Sequence, residues 1–188
     1  MRVIAGRLGG RRLTAPPGRG TTRPTSDRVR EALFSMLGEL DGAVVLDLFA
    51  GTGALGIEAL SRGAERVVFV ERDRAALRAL RENLARLGLA EPEARMRAGD
   101  ALAALRAARK RGETYDLVFV DPPYAHTRDL GDELSALLPG LLAPGARVVV
   151  ESDRRAPAEL PLRVVQQRRY GDTTITIQQH VTEDNDER

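Results

Sequence analysis

The stretch Val45-Leu46-Asp47-Leu48-Phe49-Ala50-Gly51-Thr52-Gly53-Ala54-Leu55-Gly56 decides the fold of this 188-residue chain. The run 44–48 is almost continuously apolar, as a parallel strand covered on both faces must be. Gly51 and Gly53 then let the backbone turn sharply and approach a ligand closely. From Ala54 the composition becomes helical, and the first amides of such a helix can hold an anionic group. Strand, glycine turn and helix in that order open a βαβ unit. Gly51-x-Gly53-x-x-Gly56 is weakly specific by itself. It also fits a dinucleotide fingerprint, with Glu71 twenty residues beyond Gly51 at the next strand end.

Working outward, short apolar runs recur at 67–70, 117–120 and 148–150, separated by amphipathic stretches. Leu77, Leu80, Leu84 and Leu87 form one helical stripe, Leu102 and Leu105 a second, and Leu134, Leu137, Leu138 and Leu141 a third. Repeated strand–helix units predict an open α/β sheet with right-handed crossovers. Before the glycine turn, Ser26 and Asp27 offer N-caps, and Val29, Leu33, Met36, Leu37 and Leu40 predict a helix ended by Gly42. Near the C-terminus the runs 162–165 and 173–177 are too close for a crossover helix, so an antiparallel hairpin is expected to close the sheet. The link 154–161 leaves little room for a last crossover helix. The resulting organisation is a basic N-terminal β-hairpin arm over 1–24, a catalytic-size domain over 25–180 and an acidic, frayed tail over 181–188.

Composition narrows the chemistry. A hydrophobic fraction of 43% permits an ordinary core. No apolar run approaches the roughly 18–20 residues that span a bilayer. Cysteine is absent, which removes disulfides, thiolate nucleophiles and cysteine-ligated metal. Two histidines, His126 and His180, cannot make a three-histidine metal site. The net charge of +2 hides an asymmetry, because residues 1–26 carry six arginines and no acid. The rest is therefore slightly acidic, and the basic arm predicts a polyanionic partner. Of 29 basic residues only Lys110 is lysine, and guanidinium suits bidentate phosphate contacts. The arm lacks the apolar region of a secretory signal, and its glycines and prolines interrupt the amphipathic helix of a transit peptide. Instead, residues 2–5 and 12–15 read as two short strands around a Gly-rich turn, in a cytoplasmic protein.

Three acids and one tetrapeptide carry the site. Asp47 ends the first strand, where it can face a cationic ligand or order the loop; a pyrophosphate would be repelled there. Glu71 can accept hydrogen bonds from vicinal ribose hydroxyls. Asp100 follows the third strand, where it can meet an adenine amino group or simply cap a helix. Asp121-Pro122-Pro123-Tyr124 follows the fourth strand. Its prolines remove amide donors and stiffen the turn, leaving carbonyls as acceptors. A carboxylate and a flat ring complete a clamp for a planar base bearing an exocyclic amine. Phe34, Phe49, Phe69 and Phe119 are expected in the core, which leaves Tyr115, Tyr124 and Tyr170 as candidates for base stacking.

Together these residues resemble the seven-stranded, Rossmann-like S-adenosylmethionine-dependent methyltransferases, which carry Asp-Leu-Phe-Ala-Gly-Thr-Gly, Glu71, Gly99-Asp100 and Asp-Pro-Pro-Tyr in this order. The opening Arg2-Val3-Ile4-Ala5-Gly6-Arg7-Leu8-Gly9-Gly10-Arg11-Arg12-Leu13 and Arg23-Pro24-Thr25-Ser26-Asp27-Arg28-Val29-Arg30-Glu31 narrow the resemblance. They are similar to the bacterial 16S ribosomal RNA guanine-N2 methyltransferases named for guanine 966. The resemblance implies a seven-stranded, mostly parallel sheet with an antiparallel C-terminal hairpin strand. It implies S-adenosylmethionine held by Asp47, Phe49, Gly51, Thr52, Gly53, Glu71, Arg72, Asp100 and Ala101, with no metal. It implies methyl transfer at Asp121, Pro122, Pro123 and Tyr124. Arg2, Arg7, Arg11, Arg12, Arg23 and Arg28 would contact 16S ribosomal RNA, alone or within the small subunit; apart from the resemblance, a monomer is expected because no leftover apolar segment advertises an interface. The arm would be separable, so that its deletion weakens RNA binding and spares the cofactor. A DNA adenine-N6 methyltransferase, a nicotinamide dehydrogenase and a catalytically silent RNA-binding module stay as alternatives.

Overall fold

The computed structural model describes residues 1–15, 26–122, 127–153 and 160–181. The expected fold class is the observed one: α/β, with seven strands that are mostly parallel and an antiparallel C-terminal strand. The chain divides into two compact units, Met1–Ala101 and Leu102–Arg188. Among the described residues no helix is long and apolar enough to cross a membrane.

The first unit begins with the N-terminal hairpin and α1 (Asp27–Leu37), capped by Ser26, whose hydroxyl accepts from Val29 N–H. This helix ends earlier than expected. Gly38 takes φ 68° and donates to the Phe34 carbonyl, so Leu40 is buried in the following turn rather than on the helix. Then come β1 (Val44–Asp47), α2 (Ala54–Ser61), β2 (Arg66–Glu71), α3 (Arg74–Leu87) and β3 (Ala94–Ala98). β1, β2 and β3 pair in parallel, with Asp47 opposite Phe69 and Glu71 opposite Ala98. Gly56 explains how closely α2 lies on the sheet: a Cβ there would fall 2.3 Å from Phe69 Cε1. α3 is fixed by Asp73, whose carboxylate accepts from Ala75 and Ala76 N–H at 2.9 Å each. Its buried face carries Ala76, Ala79, Leu80, Asn83 and Leu84.

The described part of the N-terminal hairpin, residues 1–15, lies against α2. The two expected strands reduce to one antiparallel bridge, Arg2 with Arg12, supported by Val3 N–H to the Arg11 carbonyl at 2.9 Å. Gly10 N–H donates to the Val3 carbonyl at 2.9 Å and Leu13 N–H to the Met1 carbonyl at 3.1 Å, and further backbone groups of the hairpin find partners on α2. Ile4 and Ala5 N–H donate to the buried Glu58 carboxylate at 2.7 and 3.1 Å. Leu8 N–H donates to Ser61 Oγ, and Arg7 N–H to the Ser61 carbonyl. Gly6 makes this approach possible: its φ is +77°, and a Cβ would lie 1.8 Å from the Ser61 carbonyl oxygen. Val3 and Leu13 are buried, so the hairpin contributes apolar burial as well as charge.

The second unit contains α4 (Ala101–Lys110) from Leu102 onward, β4 (Tyr115–Val120), α5 (Thr127–Leu137), a 3-10 turn (Pro139–Leu141), β5 (Leu142–Asp153), β6 (Arg163–Tyr170) and β7 (Thr173–Gln179). β4 pairs in parallel with β5, and β7 lies antiparallel between β5 and β6. The expected hairpin is thus β6–β7, turning at Gly171-Asp172. Residues 154–159 of the link and 182–188 of the tail lie outside the described residues. Tyr115 is 1% exposed, and its hydroxyl donates to Glu113 Oε2 at 2.6 Å. It is a core residue with a satisfied polar tip, not a stacking candidate.

Candidate active site

In the first unit, parallel pairing sets the C-terminal ends of β1, β2 and β3 along one sheet edge, where α/β sheets bind ligands. Asp47, Glu71 and the Gly99-Asp100 segment all lie on that edge. The turn after β1 is held closely. Ala50 N–H donates to the Val70 carbonyl at 2.9 Å, and Gly53 N–H to the Ala50 carbonyl at 2.7 Å. Gly53 is the N-cap of α2 at φ 83°, a left-handed conformation that carries no side-chain cap. The sequence glycines therefore serve the turn they were expected to serve.

Asp47 is 3% exposed. Its Oδ2 accepts from Gly56 N–H at 3.0 Å, which is the loop-ordering alternative. Burial pushes its carboxyl up to about 7, with the neighbouring Glu71 charge adding to the rise and the Gly56 hydrogen bond opposing it. No cation among the described residues contributes to that balance. A buried acid at the end of the strand that leads into a glycine turn, with only an amide to compensate it, fits a positively charged ligand.

Glu71 already works on the loop. Gly51 N–H donates to its Oε2 at 2.8 Å, while Arg72 and Asp73 N–H donate to Oε1 at 2.7 Å each. Three of the roughly four acceptor positions of a carboxylate are thus in use, and a hydroxyl-bearing ligand would take the remaining one. Phe49 departs from expectation as a core residue: it is half-buried in the turn beyond β1, on the same loop as half-buried Gly51 and Thr52. Asp100 is exposed and immediately precedes α4, the N-cap position. Arg72 is exposed, and Ala101 is buried.

In the second unit, β4 is buried along most of its length and leads directly into half-buried Asp121 and buried Pro122. Pro123 and Tyr124 lie outside the described residues, as does Arg23. The other arginines separate into two groups. Arg2 is 3.4 Å from Asp27, and Arg7 pairs with Glu93 while its Nε donates to the Leu60 carbonyl. These two help to seat the hairpin. Arg11, Arg12 and Arg28 are exposed and have no ion-pair partner among the described residues.

Four residues escaped the sequence reading: Arg30, Glu58, Ser61 and Asn83, all buried polar groups. The Arg30 guanidinium donates to the Arg2 carbonyl and to Asp27 Oδ1. Glu58 also receives Arg62 Nε at 2.7 Å. A signal was available for two of them. Glu58 stands among Gly56, Ile57, Ala59 and Leu60, and Asn83 falls on the same helical stripe as Leu80 and Leu84. A polar residue on an apolar face implies a specific partner.

Comparison with known proteins gives consistent matches. The family model described as Conserved hypothetical protein 95 matches residues 1–179. The chain is 42% identical to the YlbH protein of Bacillus subtilis over 188 residues, covering 94% of this chain and 97% of that protein. It is 43% identical over 156 residues to ribosomal RNA small subunit methyltransferase D of Escherichia coli, covering 81% of this chain and 75% of the relative. Among solved structures, yhhF of Escherichia coli superimposes with a TM-score of 0.83 at 38% identity, covering 96% of this chain and 98% of that one.

Proposed function

The chain belongs to the family described as Conserved hypothetical protein 95 and to that of the ribosomal RNA small subunit methyltransferase D proteins; from that premise we propose that it methylates the exocyclic N2 of a guanine in small-subunit ribosomal RNA, using S-adenosylmethionine. The observation that carries the cofactor assignment is Asp47, a buried acid at the end of β1, before the glycine turn, with no cation among the described residues to balance it. S-adenosylmethionine, when bound, supplies a methyl group made electrophilic by a sulfonium. Asp47 attracts the ligand's positive charge. The turn at Gly51, Thr52 and Gly53, with Phe49, Arg72 and Ala101 around it, shapes the pocket. Glu71 accepts from a ribose hydroxyl, and Asp100 from the adenine amine.

The acceptor side rests on the Asp121-Pro122-Pro123-Tyr124 motif. A guanine amino group is a poor nucleophile because its lone pair is conjugated into the ring. Hydrogen bonds from that amine to the Asp121 carboxylate and the Pro122 carbonyl favour a pyramidal nitrogen and stabilise the positive charge it develops. Tyr124 stacks on the base. The proton leaves after methyl transfer, so no strong base is required. Arg11, Arg12 and Arg28 engage phosphates, which positions the RNA without reading its sequence.

The test is methyl transfer assayed on naked small-subunit RNA and on unmethylated small subunits, with mass mapping of the product. Guanine-N2 methylation is expected. A methyl group on adenine N6, or no transfer to either substrate, refutes the assignment.

A further inference from the structure

Asn83 lies on α3, outside every residue set that the motifs pick out, and its side-chain amide makes three hydrogen bonds, using both Nδ2 donors. It is 1% exposed. Its Oδ1 accepts from Thr14 N–H at 2.7 Å, and its Nδ2 donates to the Thr14 carbonyl at 3.1 Å and to the Thr52 carbonyl at 3.0 Å. One amide thus pairs with both backbone groups of Thr14 and also grips the middle residue of the glycine turn. Thr52 stands between Gly51, whose amide is held by Glu71, and Gly53 in its left-handed conformation. The turn is therefore pinned by β2 at one residue and by Asn83 at the next.

The hairpin at the other end of this clasp is itself rigidly seated. Glu58 and Ser61 hold its first strand, the Arg2–Arg12 bridge joins the two sides, and the exposed Arg11 and Arg12 immediately precede Leu13 and Thr14. We propose that Asn83 is a positioning residue that couples the seating of the N-terminal hairpin to the conformation of the cofactor turn. Binding at the turn and docking of the hairpin then reinforce each other by the same factor, as linkage requires. On this proposal, deleting the hairpin removes Thr14, frees Asn83 and slackens the turn, so cofactor affinity falls along with RNA binding. The inference rests on the reading of this turn as the S-adenosylmethionine site.

The test is amide hydrogen exchange of the full chain with and without saturating S-adenosylhomocysteine, in the wild type, Asn83→Asp and Asn83→Ala. Asn83→Asp keeps an acceptor for Thr14 N–H but turns both donor positions into acceptors facing carbonyls. In the wild type, the ligand at about 100 times its Kd slows exchange at Thr14 tenfold or more, within the roughly hundredfold limit of mass action. In either variant that still binds, protection persists at residues 51–53 while the effect at Thr14 drops below twofold. A purely structural role would lower protection everywhere and leave the ligand's effect at Thr14 intact. Unchanged Thr14 exchange in the wild type, or the same ligand effect in a variant, overturns the coupling even if no variant folds well enough for the second comparison. Absence of any ligand binding, seen as unaltered residues 51–53, overturns the cofactor reading and the coupling with it.

Discussion

Asp47 makes the cofactor reading measurable through pH. Its carboxyl is moved from 3.8 to about 7 by burial first, with the Glu71 charge assisting. A folded value raised above the unfolded one means that the native state holds the proton more tightly. Stability is then greatest below about pH 4, declines between about pH 4 and 7, and levels off above. About three units at 1.36 kcal/mol each give a cost of roughly 4 kcal/mol at pH 8, an upper bound. Asp47→Asn keeps an oxygen for Gly56 N–H and removes the charge, so the variant should exceed the wild type in urea unfolding at pH 8, with the difference vanishing near pH 4. Ligand binding should move the other way. If the ionised carboxylate attracts S-adenosylmethionine, the competent fraction is about nine-tenths at pH 8 and about one-tenth at pH 6, so affinity should fall about tenfold across that interval. Isothermal titration calorimetry at pH 6, 7 and 8 reads this directly. Asp47→Asn should bind weakly with a flat profile. Equal affinities for wild type and variant at pH 8, or a flat wild-type profile, would refute the reasoning.

Asp121→Ala should abolish most turnover with near-normal cofactor affinity, because the motif handles the target amine; wild-type-like turnover would sink that assignment. Gly56→Ala should destabilise the fold by about 1–3 kcal/mol, since the new methyl group would press on Phe69 and Val67; denaturant midpoints measure it. Arg11→Ala with Arg12→Ala should reduce the slope of log affinity against log salt for small-subunit RNA by about two, one per lost phosphate contact. An unchanged slope removes both residues from the RNA surface.

The β1 turn, Glu71, the helical stripes of α3 and the closing hairpin could be read in advance because each rests on local rules. Strand burial produces continuous apolar runs, glycine marks the turn, and a short link forbids a crossover. β3 was less visible. Its Ala94-Arg95-Met96-Arg97-Ala98 lies at the end of the parallel set beyond β2, where one side lacks a strand and the apolar pattern relaxes. Gly38, rather than Gly42, ends α1 because it is the first glycine after the helix to take positive φ, and its N–H closes the last turn on the Phe34 carbonyl before Leu40 is reached.

The sequence by itself determined the fold class, the acids lining one sheet edge and the concentration of arginine at the N-terminus. What that arginine-rich segment is attached to was decided only by tertiary structure. Hydrogen bonds from backbone N–H groups within residues 4–14 to the side chains of Glu58, Ser61 and Asn83 cross about 50 to 70 positions of chain, and no periodicity or spacing rule reaches that far. Burial is the reason these contacts are specific. A polar group removed from water must find its partner, and here the partners are backbone amides and carbonyls of the hairpin that its own short pairing does not take up. The charge asymmetry is thus a local fact of composition, while the hydrogen bonds that tie Thr14 through Asn83 to Thr52 in the glycine turn exist only once α3 has packed.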